Sequence, residues 1–265
     1  MTSTVLAAAA FGADPGRWPL PPARDAEGLL LRAVAAGGQG RYGSARSDLA
    51  ELLRLQPTGR VGALAMSTRA SFHRQLGWHA VARRWDGRAI ALAGRDPEAA
   101  VDALIGLAAD ALGLARLAAS AALLQRATAL LEATEAAPPR LAIRLAWVNS
   151  ELAMAARDGP DALNHARRAA ELAQMALPAL RRHRVKSDVV LAAALCSAGD
   201  LVRSRELADA ALVDVETFGL VPLGWALACL LSGIGSAAHS PAEVARIRDR
   251  TAAFVTRHGG RWSSR

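Results

Sequence analysis

Residues 38–57 read GQGRYGSARSDLAELLRLQP. Gly40 ends one helix, Tyr42 follows two residues later, Ala45 opens the next helix, Leu49 and Leu52 carry its apolar face, and Pro57 stops it. Apolar positions three or four apart share one helical face, and neither glycine nor proline sits comfortably in a helix interior. The stretch therefore predicts a helix bracketed by two breakers.

Working outward, the same spacing returns along the chain, and recurrence at a fixed period decides the fold of such sequences. It appears at Gly77, Ala82 and Ala89, at Gly113, Ala118 and Ala122, at Gly199, Ser204, Ala208 and Ala211, and at Gly235, Ser240, Val244 and Ile247. A further unit, Ala162, Ala166 and Ala169, has Arg157 where the glycine is expected. The opening residues Ala45, Ala82, Ala118, Ala162, Ser204 and Ser240 are spaced 37, 36, 44, 42 and 36 apart, which suggests six helix pairs. Between the breakers the helical period persists, as in Leu141 to Ala156, and nowhere is there sustained alternation. Leu and Ala outnumber Val and Ile, which favours helix intrinsically. The predicted class is all-α.

The unit at residues 38–57 resembles the second half of a tetratricopeptide repeat. In that family a small residue sits where two antiparallel helices approach closely, an apolar one packs on the neighbouring repeat, and a proline stops the second helix. The resemblance covers residues 24–258 and implies one domain, a right-handed superhelix of about six antiparallel helix pairs. The periods exceed the family's length of about 34 residues, the bulky aromatic of its first helix is mostly absent, and Asp86 and Gln125 stand at apolar positions. An irregular α-solenoid or helical bundle is the alternative.

The resemblance also implies that the first helix of each pair lines a concave groove where partners lie. Mapped onto this chain, that face carries Leu30, Val34, Ser67, Ser71, Arg74, Leu107 and Asp110, then Arg144, Trp147, Glu151 and Met154, then Lys186, Val189 and Cys196, and finally Trp225 and Cys229. The expected binding groove is Arg74, Arg144, Trp147, Glu151, Met154, Lys186, Val189 and Trp225, with the two tryptophans and Met154 as apolar anchors and Arg144, Glu151 and Lys186 fixing register. The plainer alternative is that both tryptophans are core packing. With only Arg74, Arg144 and Lys186 as cations, this face disfavours the acidic peptide C-termini that some family members clamp. It suits an apolar or amphipathic helix, or the chain's own N-terminal segment.

Of the 265 residues, 52% are hydrophobic and 21% charged, which excludes disorder throughout. The formal charge of +8 suggests nucleic acid, yet Lys186 is the only lysine and about a quarter of the residues are alanine, a vocabulary that GC-rich coding produces. The charge is scattered, with clusters only at Arg181 to Lys186 and Arg246 to Arg250. His73 and His79, six apart, share no helical face, so no metal site is expected, and Cys196 and Cys229 read as free thiols. No phosphate loop, dinucleotide fingerprint or nucleophile elbow is present, so neither cofactor nor enzyme activity is expected. The uncharged run between Glu216 and Glu243 is interrupted by Pro222, Ser232 and glycines, and reads as a buried helix rather than a membrane span. Residues 1–23, apolar and then Pro/Gly-rich, read as a flexible terminus or as a segment held by Phe11, Trp18 and Leu20 that docks in the groove. They make a poor secretory leader, since no basic residue precedes the short apolar stretch. Residues 259–265 read as a flexible tail. The sequence thus predicts a cytoplasmic, non-catalytic scaffold, adaptor or regulatory sensor that binds a protein or peptide partner, with a nucleic-acid-associated regulator as the alternative.

Overall fold

The computed structural model describes residues 2–264, leaving Met1 and Arg265, the outer residues of the two terminal segments, outside the description. Thirteen helices follow one another: α1 (Thr2–Phe11), α2 (Ala26–Gly38), α3 (Tyr42–Leu55), α4 (Gly59–Gln75), α5 (His79–Ala93), α6 (Pro97–Gly113), α7 (Leu117–Glu132), α8 (Pro139–Ala155), α9 (Gly159–Met175), α10 (Arg181–Ser197), α11 (Leu201–Thr217), α12 (Val221–Ile234) and α13 (Pro241–Arg257). No strand occurs among the described residues, and the class is all-α.

Local chemistry sets many of the boundaries. Side chains of Asp25, Asp96, Asp158 and Asp200 accept backbone N–H groups in the first turns of α2, α6, α9 and α11, and Ser240 with Glu243 forms a capping box on α13. Proline stands in the first turn of α6, α8, α9, α12 and α13, where its missing N–H costs nothing. The connections before α3, α5, α7, α9 and α11 each hold one residue at positive φ: Gly40, Gly77, Ala115, Arg157 and Gly199. Five residues after each comes a fully buried small residue, Ala45, Ala82, Ser120, Ala162 or Ser204.

This geometry corrects two repeat assignments. In α7 the buried stripe is Ser120, Leu124 and Ala127, whereas Ala118 and Ala122 are exposed. The left-handed residue of that turn is Ala115, not Gly113, so counting from the glycine shifted the unit by two. Ser240 caps α13, and Val244 is its first buried residue. The opening positions are then Ala45, Ala82, Ser120, Ala162, Ser204 and Val244, with spacings of 37, 38, 42, 42 and 40.

Successive helices pack neighbour to neighbour, and the even-numbered helices α2 to α12 also touch one another in order, forming an inner layer. The C-terminal residues return to the first helix pairs. Gly43 N–H donates to the His258 carbonyl at 2.8 Å, Arg46 Nη2 to the Gly259 carbonyl at 2.7 Å, Trp78 Nε1 to the Arg261 carbonyl at 2.7 Å, and Ser263 N–H to the Leu76 carbonyl at 2.9 Å. Val255 of α13 is buried in one cluster with Leu29, Tyr42, Leu49 and Phe72. Residues 259–264 therefore lie along α3, α4 and α5.

At the other terminus the alanine-rich run forms α1, a short helix that ends as the Pro/Gly-rich stretch begins. Leu6, Ala9 and Ala10 are buried, and Leu180 N–H donates to the Phe11 carbonyl at 2.8 Å, tying α1 to α10. Gln39 Nε2 donates to the carbonyls of Pro15 and Arg17, both at 2.9 Å, and Arg32 Nη1 to that of Leu20 at 3.1 Å. Leu20 is buried, while Trp18 stays on the surface beneath the Arg41 guanidinium.

Candidate functional site

The inner layer surrounds a cavity of about 670 Å³. Every helical residue lining it comes from an even-numbered helix except Phe11 of α1. Leu30, Val34, Leu64, Phe72, Ile105 and Trp147 give it an apolar wall. Gly37 and Gly38 admit their neighbours here: a Cβ on Gly37 would strike the Phe72 ring, and one on Gly38 would stand 2.6 Å from Arg182 Nη1.

Across this wall runs a ladder of alternating charge. Glu27 of α2 meets Arg60 of α4 at 2.9 Å, Arg60 meets Glu98 of α6 at 2.7 Å, Glu98 meets Arg140 of α8 at 2.7 Å, Arg140 meets Asp102 of α6 at 2.8 Å, and Asp102 also meets Arg144. Glu98 and Asp102 stand four apart on α6, as Arg140 and Arg144 do on α8, so each pair occupies one helical face. The paired guanidinium groups hold the Glu98 carboxyl below the usual carboxylate range despite its burial.

Beneath the ladder, Arg74 of α4 donates through Nε to Asp110 Oδ1 at 2.8 Å and pairs with Asp86 of α5. Asp86 and Asp110 are wholly buried, and burial, with Asp110 nearby, pushes the Asp86 carboxyl up to about 7. Gly106 leaves the room for it, since a Cβ there would collide with the Asp86 carboxylate. The residue that breaks the apolar repeat pattern is thus the outer partner of a buried cation.

The ladder ends at α10. Lys186 reaches Glu151 at 3.5 Å and lies 5.2 Å from the centre of the Trp147 ring. Trp147 donates through Nε1 to Ser187 Oγ at 2.8 Å and stacks on His183 with ring centres 5.4 Å apart. Arg182, four residues before Lys186, has no carboxylate within ion-pairing distance among the described residues and donates to the Val34 carbonyl at 3.2 Å. Burial lowers the Arg182 and Arg144 guanidinium groups to about 10, so both remain cationic at neutral pH. Burial first, then Arg182, Arg140, Arg144 and Lys186 around it, holds His183 well below its ordinary value, so its ring is neutral. Its Nδ1, buried, has no hydrogen-bond partner.

Five of the eight expected groove residues line this cavity: Arg74, Arg144, Trp147, Glu151 and Lys186. The other three lie elsewhere. Met154 packs with the α8–α10 cluster, Val189 with the α10–α13 cluster, and the Trp225 ring faces Trp262 with centres 4.3 Å apart. Sequence reasoning missed Arg60, Arg140, Arg182, His183, Glu98 and Asp102. The i, i+4 charge pairs on three successive inner helices were the available signal. Cys196 and Cys229 are free thiols. Among the described residues no helix is long and apolar enough to cross a membrane. Neither a protein-family model nor a curated protein matches the chain.

Proposed function

We propose that the chain is a non-catalytic regulatory sensor built from six tetratricopeptide-like helix pairs, α2/α3 to α12/α13, wound in a right-handed superhelix, and that its ligand occupies the central cavity. Support for the pairing comes from the left-handed residue five before each buried small residue in five units. The observation that carries the function is the pocket of about 670 Å³ that the inner layer lines, a size typical of small-ligand pockets. Residues 258–263 bind back onto α3 and the α4–α5 turn, so the last pair is tied to the first ones. Of the readings the sequence offered, the sensor is therefore favoured over the scaffold. Six of the cations that prompted a nucleic-acid partner, Arg60, Arg74, Arg140, Arg144, Arg182 and Lys186, line this cavity, and five of them are already paired with carboxylates.

A low-molecular-weight extract of the source cells tests this reading. It should raise the melting temperature of the wild type and leave Ala109→Trp, which fills the cavity, at its own melting temperature. A protein captured equally by both forms at high salt, or nucleic acid released by salt, would replace the sensor with a scaffold or a nucleic-acid binder.

A further inference from the structure

The interior cations are not equally matched. Arg60, Arg74, Arg140, Arg144 and Lys186 each face at least one carboxylate, whereas Arg182 has only the Val34 carbonyl. Asp86 and Asp110 pair with Arg74, Glu27 and Glu98 with Arg60, Glu98 and Asp102 with Arg140, Asp102 with Arg144, and Glu151 with Lys186, so Arg182 is the one lining cation without an acid. It stands where Arg140, Arg144 and Lys186 also surround His183. There a neutral imidazole, 3% exposed, leaves Nδ1 unpartnered. A half-buried cation without a counter-ion is costly unless something else satisfies it. Next to them stands an apolar wall.

We infer that the cavity binds a small amphipathic carboxylate, its anionic head on Arg182 beside His183 and its apolar body along the wall of Leu30, Val34, Phe72 and Trp147. This rests on the sensor reading and names its ligand class. Arg182 presents the planar fork that matches a carboxylate. The neutral His183 beside it adds no competing charge. In the unliganded protein Arg182 is a liability; Arg140 and Arg144, by contrast, hold Asp102 and Glu98.

Titration calorimetry with decanoate and with decan-1-ol tests the assignment on the full chain. Decanoate should bind more tightly than the alcohol, and Arg182→Gln should weaken decanoate about tenfold or more while leaving the alcohol unchanged. Without ligand, Arg182→Gln should melt at or above the wild-type temperature, because it removes an unpaired, half-buried charge, whereas Arg144→Gln should melt lower. Arg182→Lys, which keeps the charge, should recover part of the decanoate affinity. Equal binding of acid and alcohol, both lost in Ala109→Trp, would overturn the carboxylate site and leave the cavity reading standing. No heat from either probe would overturn the carboxylate site, while the extract experiment decides the cavity separately. A short apolar peptide with a free C-terminus that binds more tightly than decanoate would overturn the small-acid class.

Discussion

Asp86 shows how a single residue can look wrong in a pattern and be right in the structure. Its carboxyl is buried beside Asp110 and shares Arg74, and its affinity for a proton is raised to about 7. An unfolded aspartate releases its proton near pH ~3.9. Between those values the folded state holds the proton that the unfolded state has lost, so this group's contribution to stability is full below about pH 4 and is lost as pH rises through about 7. Asp188, pushed up to about 6 by burial, acts in the same direction. Urea unfolding at pH 5 and pH 8 should show the wild type losing more stability across that interval than Asp86→Asn, by more than about 1 kcal/mol. Equal losses would mean that Asp86 ionises normally. The sequence marked Asp86 as a departure from the apolar pattern, but its partner lies on another helix, and no single-residue rule points from Asp86 to Arg74.

The helical elements were legible where a breaker and a small residue kept their five-residue spacing. Gly40 with Ala45, Gly77 with Ala82, and Gly199 with Ser204 placed α3, α5 and α11 in register. Where an ordinary residue takes the left-handed conformation the signal was weaker: Arg157 was found by spacing, while Ala115 was hidden by Gly113 two residues earlier. Left-handed backbone strains any residue with a Cβ. Ala115→Gly and Arg157→Gly should therefore each stabilise the protein by about 0.5–1 kcal/mol in chemical denaturation. Destabilisation by either would show that the turn gains nothing from glycine. The same limit governed Trp225: a helical face can be counted from sequence, but its covering by Trp262 depends on the tail returning across α4 and α5.

At the scale of the whole molecule, the repeat predicted a groove along the inner helices, and in the structure the inner helices line a pocket beside which the C-terminal residues return to the first pairs. That return comes from contacts between residues some two hundred positions apart, such as Arg46 with Gly259 and Trp78 with Arg261. Neither periodicity nor composition encodes such a return, because each side is ordinary surface until the other arrives. Burial also changes what the charges do. On an open face, Glu98, Asp102, Arg140 and Arg144 would be solvated and contribute little; in the interior they are mutually dependent, and Arg182 stands out as the one left without an acid. The central claim is that this pocket holds a small ligand. Native mass spectrometry of the chain purified gently from its source tests that most directly, with Ala109→Trp prepared in parallel. A one-to-one small-molecule adduct on the wild type that is absent from the variant is the predicted result; a wild type seen only at its own ligand-free mass would contradict it.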